Sequence, residues 1–237
     1  MSNPLTIQLF ADGADIKVMT ELYKSGVVKG FTTNPTLMHK MGLTDYPAFS
    51  KEVLKAIPDQ GVSFEVFSDD AEGMEADARV IASWGKNVFV KIPVTNTKGE
   101  SMAPLIKKLA NEGVQLNVTA ILTLKQVETV CGALKSGVAS IVSVFAGRVA
   151  DTGVDPMPMM REALKHCRKL DKCELLWAST RELINLFQAQ ECGCDIITVT
   201  PDILKKLSMV GKDLSELSLD TVKMFRNDAL AAGFKIR

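Results

Sequence analysis

Asn87-Val88-Phe89-Val90-Lys91-Ile92-Pro93-Val94 is a run of β-branched and aromatic residues bounded by Asn87 and Pro93, and it reads as a short buried strand. Lys91 lies inside that apolar run, where a cation needs a reason. Moving an unpaired ammonium into low dielectric costs several kcal/mol, so a buried lysine tends to lose its proton. The neutral amine is a nucleophile toward carbonyl carbon, the starting point of Schiff-base chemistry. A lysine at a strand end can equally snorkel its ammonium into solvent or pair with a carboxylate. The stretch alone leaves both readings open.

Outward from it, one alternation repeats along the chain. Thr6–Ala11 reads as a first strand ending at Asp12, and Val27–Thr32 as a second running into Thr33-Asn34-Pro35. Val62–Phe67 is the third, the Lys91 run the fourth and Gln115–Ile121 the fifth. Ser140–Phe145 follows, then Glu174–Ala178 and Asp195–Val199. Helical periodicity fills the intervals: 14–24, a segment of about 25 residues broken near Gly42 and Pro47, Ser101–Glu112, Pro156–Leu170 and Thr180–Glu191. Pro201 begins a further helix at the first-turn position where proline is welcome.

Eight strand–helix units without a linker or a break in composition predict an α/β fold, a single (β/α)8 TIM barrel with extra C-terminal helices. The domain is expected to span 1–237, with 213–237 as a helical tail. An open doubly wound sheet is the rival, but Asp12-Gly13-Ala14-Asp15 after the first strand is no glycine-rich phosphate turn. In such barrels the chemistry sits at the C-terminal mouth, on residues at strand ends. Those ends supply Asp12, Thr33 and Asn34, Glu65, Lys91, Asn117 and Thr119, Ser143, and Ser179 with Arg181.

Bulk properties narrow the classes. The chain has 237 residues, 46% hydrophobic and 24% charged, and its 28 basic and 28 acidic residues cancel. Nothing in that balance calls for nucleic acid as a partner. No apolar run approaches the ~20 residues that span a bilayer, and Met1-Ser2-Asn3-Pro4 does not open a leader, so no membrane association and a cytoplasmic location are expected. The five cysteines read as free thiols. Cys192 and Cys194 lack a second Cys or His pair at suitable spacing, and His39 and His166 lie far off, so neither a zinc site nor a catalytic histidine is expected.

Thr32-Thr33-Asn34-Pro35-Thr36, Val90-Lys91-Ile92-Pro93-Val94-Thr95, Asn117-Val118-Thr119, Val144-Phe145-Ala146-Gly147-Arg148 and Ala178-Ser179-Thr180-Arg181 resemble, in order, motifs of the transaldolase family. Length and final helices resemble its short branch, which includes fructose-6-phosphate aldolase. The resemblance implies a Schiff-base mechanism without metal or organic cofactor, acting on sugar phosphates. Under it Lys91 attacks the ketone, Asp12 takes the proton of the C4 hydroxyl, and Glu65 with Thr119 holds a catalytic water. Thr33, Asn34, Asn117 and Ser143 would line the path of the substrate's hydroxyls, with Phe145 as a wall. Arg181 and Ser179, supported by Arg148, would receive the phosphate. The tail resembles the branch's subunit-joining segment and implies a homo-oligomer, a pentamer or decamer.

The residues taken alone leave other roles open. Asp12 could cap the helix near Ala14, Glu65 could form a plain ion pair with Lys91, and Thr33-Asn34-Pro35 could be only a turn. Arg148 and Arg181 could be surface arginines and Phe145 core filling. A departure from the pattern is Thr180, where an aromatic is common in the family. Three functions stay in view: transaldolase, an aldolase releasing free dihydroxyacetone, and a non-catalytic barrel used for binding.

Overall fold

Eight parallel strands close into a barrel in sequence order: β1 (Gln8–Asp12), β2 (Gly30–Thr32), β3 (Gly61–Glu65), β4 (Val88–Pro93), β5 (Leu116–Ile121), β6 (Ser140–Val144), β7 (Cys173–Trp177) and β8 (Ile196–Val199). Parallel neighbours require a crossover, and helices supply it throughout. The computed structural model describes residues 5–236; the Met1–Pro4 stretch read as opening no leader lies outside the described residues, as does Arg237.

The sequence reading and the structure differ mainly at element ends. β2 is confined to Gly30–Thr32, while Val27–Lys29 lies outside it. The broken helical segment after β2 is two helices, Pro35–Lys40 and Tyr46–Ala56, each with proline in its first turn and a side-chain cap, from Asn34 and Asp45. A short helix, Ala146–Asp151, follows Phe145 directly and was not foreseen. The helix expected from Thr180 starts only at Ile184. Its delay has a local cause: Ser179 adopts a left-handed backbone, and the Asn185 side chain accepts from the backbone N–H groups of Arg181 and Glu182.

Alternation along each strand sorts side chains into two cores. The outward set packs under the helices, from Val62 and Phe64 through Val142 and Val144 to Leu175 and Trp177. The inward set is smaller: Phe10, Ile141, Leu176, Ala178 and Ile196, with Phe89 and Phe145 against them. Glycines make room for the inner aromatics. Gly30 and Gly61 are register partners on β2 and β3; a Cβ on Gly30 would overlap the Phe10 ring, and one on Gly61 would approach the Phe89 ring to 3.1 Å. The rings of Phe10 and Phe89 thus fill part of the barrel interior.

Beyond β8 come the helix Pro201–Lys205, a 3-10 turn at Lys206–Met209 and the long helix Leu214–Ala231. The last has no buried residue, and Leu214, Leu219, Val222, Phe225 and Leu230 are more than half exposed. No helix among the described residues is long and apolar enough to cross a membrane.

Candidate active site

The register of the barrel brings Glu65, Lys91 and Asn117 to one level on adjacent strands. Lys91 is buried, 7% exposed, and its ammonium donates to Glu65 Oε2 and to the carbonyl oxygen of Thr33, each at 3.0 Å. Lys91 and Glu65 are therefore in direct contact. The cause is the register itself, which points both side chains into the mouth from paired positions.

Asp12 faces this pair from the end of β1. Its Oδ1 accepts from Thr32 Oγ1 at 2.9 Å, and the Asn34 amide donates to its two oxygens at 3.3 and 3.1 Å. Burial pushes the Asp12 carboxyl above the usual carboxylate range, although the Lys91 charge and the Thr32 and Asn34 hydrogen bonds pull the other way. Asp12 is not a helix cap, since Asp15 caps the helix Ile16–Ser25. Asn34 does two things at once: its carbonyl oxygen caps Pro35–Lys40 through the Leu37 N–H, and its amide holds Asp12. Thr32 in turn lies 2.6 Å, hydroxyl to hydroxyl, from Thr198 on β8.

A cavity of about 360 Å³ opens over these groups, lined by Asp12, Asn34, Glu65, Lys91, Thr119, Ser143, Phe145, Arg148 and Ser179 among others. The Thr119 hydroxyl is buried, faces the cavity and has no hydrogen-bond partner among the described residues. Such a group is poised to take a ligand or a water. Two lining residues, Ala120 at φ 59° and Ser179 at φ 64°, hold left-handed backbone, which non-glycine residues seldom adopt. Ala120 sits where the β5–β6 register shifts between Val118 and Ile121. Backbone strain of this kind gathers at functional sites.

Four of the residues singled out from sequence divide between the cavity wall and its surroundings. Thr33 is fully buried, donates its hydroxyl to the Ser63 carbonyl, and offers the lysine only its own carbonyl oxygen. Asn117 is fully buried under the cavity, accepting from Ser143 Oγ at 2.6 Å and donating to Ser63 Oγ at 2.9 Å, so it braces Ser143. The two arginines exchange emphasis. Arg148 lines the cavity with its guanidinium 5.1 Å from the centre of the Phe145 ring. Arg181 turns outward, pairs with Asp151 (Nε to Oδ1 3.1 Å), and does not line the cavity. The backbones that carry them nevertheless touch, because a Cβ on Gly147 would overlap the Ser179 carbonyl oxygen. Glycine is required there to bring the Arg148 helix against the end of β7.

Sequence reasoning missed Thr32 and Thr198, which join the cavity wall from β2 and β8. Period-two alternation, counted back from Asn34, would have placed Thr32 on the inward face.

Residues 9–236 match the profile of the family described as Transaldolase/Fructose-6-phosphate aldolase. A Dehalococcoides mccartyi protein named "Probable transaldolase" is 35% identical over 202 residues, which cover 85% of this chain and 90% of that one. One of the same name from Methanococcus maripaludis is 38% identical over 202 residues, covering 85% and 89%. Another, from a Thermoanaerobacter species, is 34% identical over 231 residues, 97% of this chain and 100% of its own.

Proposed function

The chain belongs to the transaldolase/fructose-6-phosphate aldolase family, and from that premise we propose that it is a transaldolase. It moves a dihydroxyacetone unit from a ketose phosphate (sedoheptulose 7-phosphate or fructose 6-phosphate) to an aldose phosphate, in the pentose phosphate pathway, through a Schiff base on Lys91. The observation that carries this reading is a buried lysine amine touching Glu65 in a polar cavity, with a second carboxylate, Asp12, in the same wall.

In the proposed cycle the Lys91 ammonium first gives a proton to Glu65, which lies within direct transfer distance at 3.0 Å. The neutral amine so formed is the nucleophile. The amine adds to the substrate ketone, and the carbinolamine hydroxyl leaves as water with the proton held on Glu65, giving a cationic imine. Asp12 takes the C4 hydroxyl proton as the C3–C4 bond breaks, and the electron pair moves into the imine to leave an enamine. The aldehyde product departs, and the enamine waits for an acceptor aldehyde. Reversal of these steps and hydrolysis of the imine free the new ketose and Lys91.

Thr119, with its unpartnered hydroxyl, orients the water lost and regained at the imine. Asn34 and Ser143 meet substrate hydroxyls, Asn117 braces Ser143 from below, and Thr33 holds the Lys91 ammonium through its carbonyl oxygen. Arg148 and Ser179 receive the phosphate, and Arg181 joins them by leaving Asp151. A guanidinium fork suits a phosphate, and the late loops of such barrels commonly bind one. The chain needs no organic cofactor or metal for this cycle. It works in the cytoplasm as a ring-based homo-oligomer, a decamer or pentamer, whose contacts cover the exposed apolar side of the last helix.

The test is reduction with borohydride in the presence of fructose 6-phosphate. A stable adduct mapped to Lys91, and turnover that depends on erythrose 4-phosphate, are expected. Absence of any adduct would leave a barrel that only binds.

A further inference from the structure

We propose that Cys131, Cys167 and Cys173 form a buried three-thiolate site for one thiophilic divalent ion of the zinc class, remote from the sugar-binding mouth. The three come from different elements: the helix Leu124–Ala133, the end of the helix Met157–Cys167 and the first residue of β7. All are free and buried, and their sulfur atoms lie within 4.8 Å of one another. Their wide separation in sequence hides the cluster from any spacing motif.

The distances suit chelation. With Zn–S bonds of about 2.3 Å, sulfurs around one ion stand roughly 3.8–4.0 Å apart, so the cluster needs to close by less than about 1 Å. Two of its members end or begin elements joined by a short connection, where such an adjustment is easiest.

A second observation lies beside it. Ser140 is the register partner of Cys173 on β6, its side chain is buried, and its hydroxyl has no hydrogen-bond partner among the described residues. Three thiols filling a gap in a core need no polar companion. A buried hydroxyl left unpaired costs about 1–3 kcal/mol, and an ion in the cluster would give it a fourth, neutral donor role. On binding, each thiol gives its proton to solvent, so a divalent ion and three thiolates leave one net negative charge.

The ion would tie two helices to the outer face of β7, whose inward residue Leu176, with Ala178 just beyond the strand, helps wall the sugar cavity. With three thiolates and a hydroxyl it has no open position, which makes it a stabilising ion. Cys131, 9% exposed, marks the way in.

The experiment uses the full chain, reduced, stripped of metal and titrated with Cd2+ alone, then with Zn2+ alone. Expected are one ion per chain, a thiolate-to-metal charge-transfer band with Cd2+, and a higher thermal midpoint with unchanged turnover. Cys131→Ala and Cys173→Ala should each abolish the band, and Cys194→Ala should keep it. X-ray absorption on the loaded wild-type chain counts sulfur ligands without any substitution, and three are expected. No stoichiometric binding, fewer than three sulfurs, or a band that survives both cluster variants would overturn the proposal.

Discussion

Lys91 Nζ lies 3.0 Å from Glu65 Oε2, with both side chains largely sequestered, at 8% and 17% exposure. A pair this enclosed loses more when one partner goes than a surface pair does, because the survivor stays behind as a buried charge. Lys91→Met therefore removes the nucleophile and also strands Glu65. The variant is expected to lose all turnover and all borohydride trapping and to be measurably less stable, while Lys91→Met with Glu65→Gln recovers the stability and not the activity. Chemical denaturation beside adduct mass spectrometry reads both. Full trapping in the single variant would remove Lys91 from the mechanism.

Asp12 gives a pH dependence with a definite sign. Its folded carboxyl titrates above the ordinary value of 3.8 because burial opposes its charge. A raised folded value means that this group supports the fold best below the ordinary pKa, and that its share is lost as pH climbs through the raised one. Asp12→Asn is thus expected to be more stable than the parent above that window and equal to it below. The same ionisation should set the acid limb of turnover, displaced upward from a normal aspartate. Asp12→Ala should still form the imine and lose about 10²–10⁴ in cleavage rate, the range for a general base. Single-turnover trapping separates the two steps, and near-parental cleavage would deny Asp12 that role.

The arginines offer a test of which one meets phosphate. Arg148 lines the cavity, whereas Arg181 is held by Asp151. A charge-assisted hydrogen bond is worth about 1.5–3 kcal/mol, or roughly ten- to hundredfold in affinity. Arg148→Ala is expected to raise KM for phosphorylated sugars by that factor and to leave KM for dihydroxyacetone nearly unchanged. Arg181→Ala should raise it less, and Asp151→Asn, by freeing Arg181, should lower it. Equal losses on both kinds of substrate would make Arg148 structural.

The sequence carried most of the barrel and less of its mouth. Strand identity was legible because Val, Ile and Phe fill short runs between turns, and the Lys91 run is the clearest of them. Its partner Glu65 followed once strands were taken to close in order. Side-chain direction was not legible. Nothing in Ser179-Thr180-Arg181 announces the left-handed serine that delays the next helix, and that delay goes with Arg181 lying against Asp151. The missed helix at Ala146–Asp151 is six residues long, too short for periodicity to register. Nor did the sequence show that Thr33 and Asn117 both hydrogen-bond to Ser63 beneath the cavity, or that Asn117 also accepts from Ser143.

The tail makes a prediction about assembly. The helix Leu214–Ala231 buries no residue against its own barrel while exposing Leu219, Val222 and Phe225. Truncation before Asp213 is expected to turn the proposed ring into smaller species in light scattering, with the barrel's circular dichroism retained. A monomeric mass for the intact chain would refute the oligomer.

The balance between transfer and release rests on Glu65 and Phe145. Glu65 and Phe145 resemble the pair carried by the transferring members of the family, whereas glutamine and tyrosine there would resemble its aldolases. Here Phe145 stands in the cavity wall beside Arg148, with no hydroxyl to offer. Release of free dihydroxyacetone requires a proton on the enamine carbon, and a tyrosine hydroxyl could order the water that delivers it. Without that donor the enamine persists until an aldehyde arrives. Fructose 6-phosphate alone is therefore expected to be cleaved slowly, and erythrose 4-phosphate to accelerate turnover strongly. Phe145→Tyr should raise the release of dihydroxyacetone, and Phe145→Tyr with Glu65→Gln should raise it further. The double variant also loses the Glu65 carboxylate that pairs with Lys91, so its gain must be read as a ratio of release to transfer, followed by coupled assay of free dihydroxyacetone. If the unmodified protein releases dihydroxyacetone as fast without an acceptor as with one, it is an aldolase, and phenylalanine at this position does not withhold the proton.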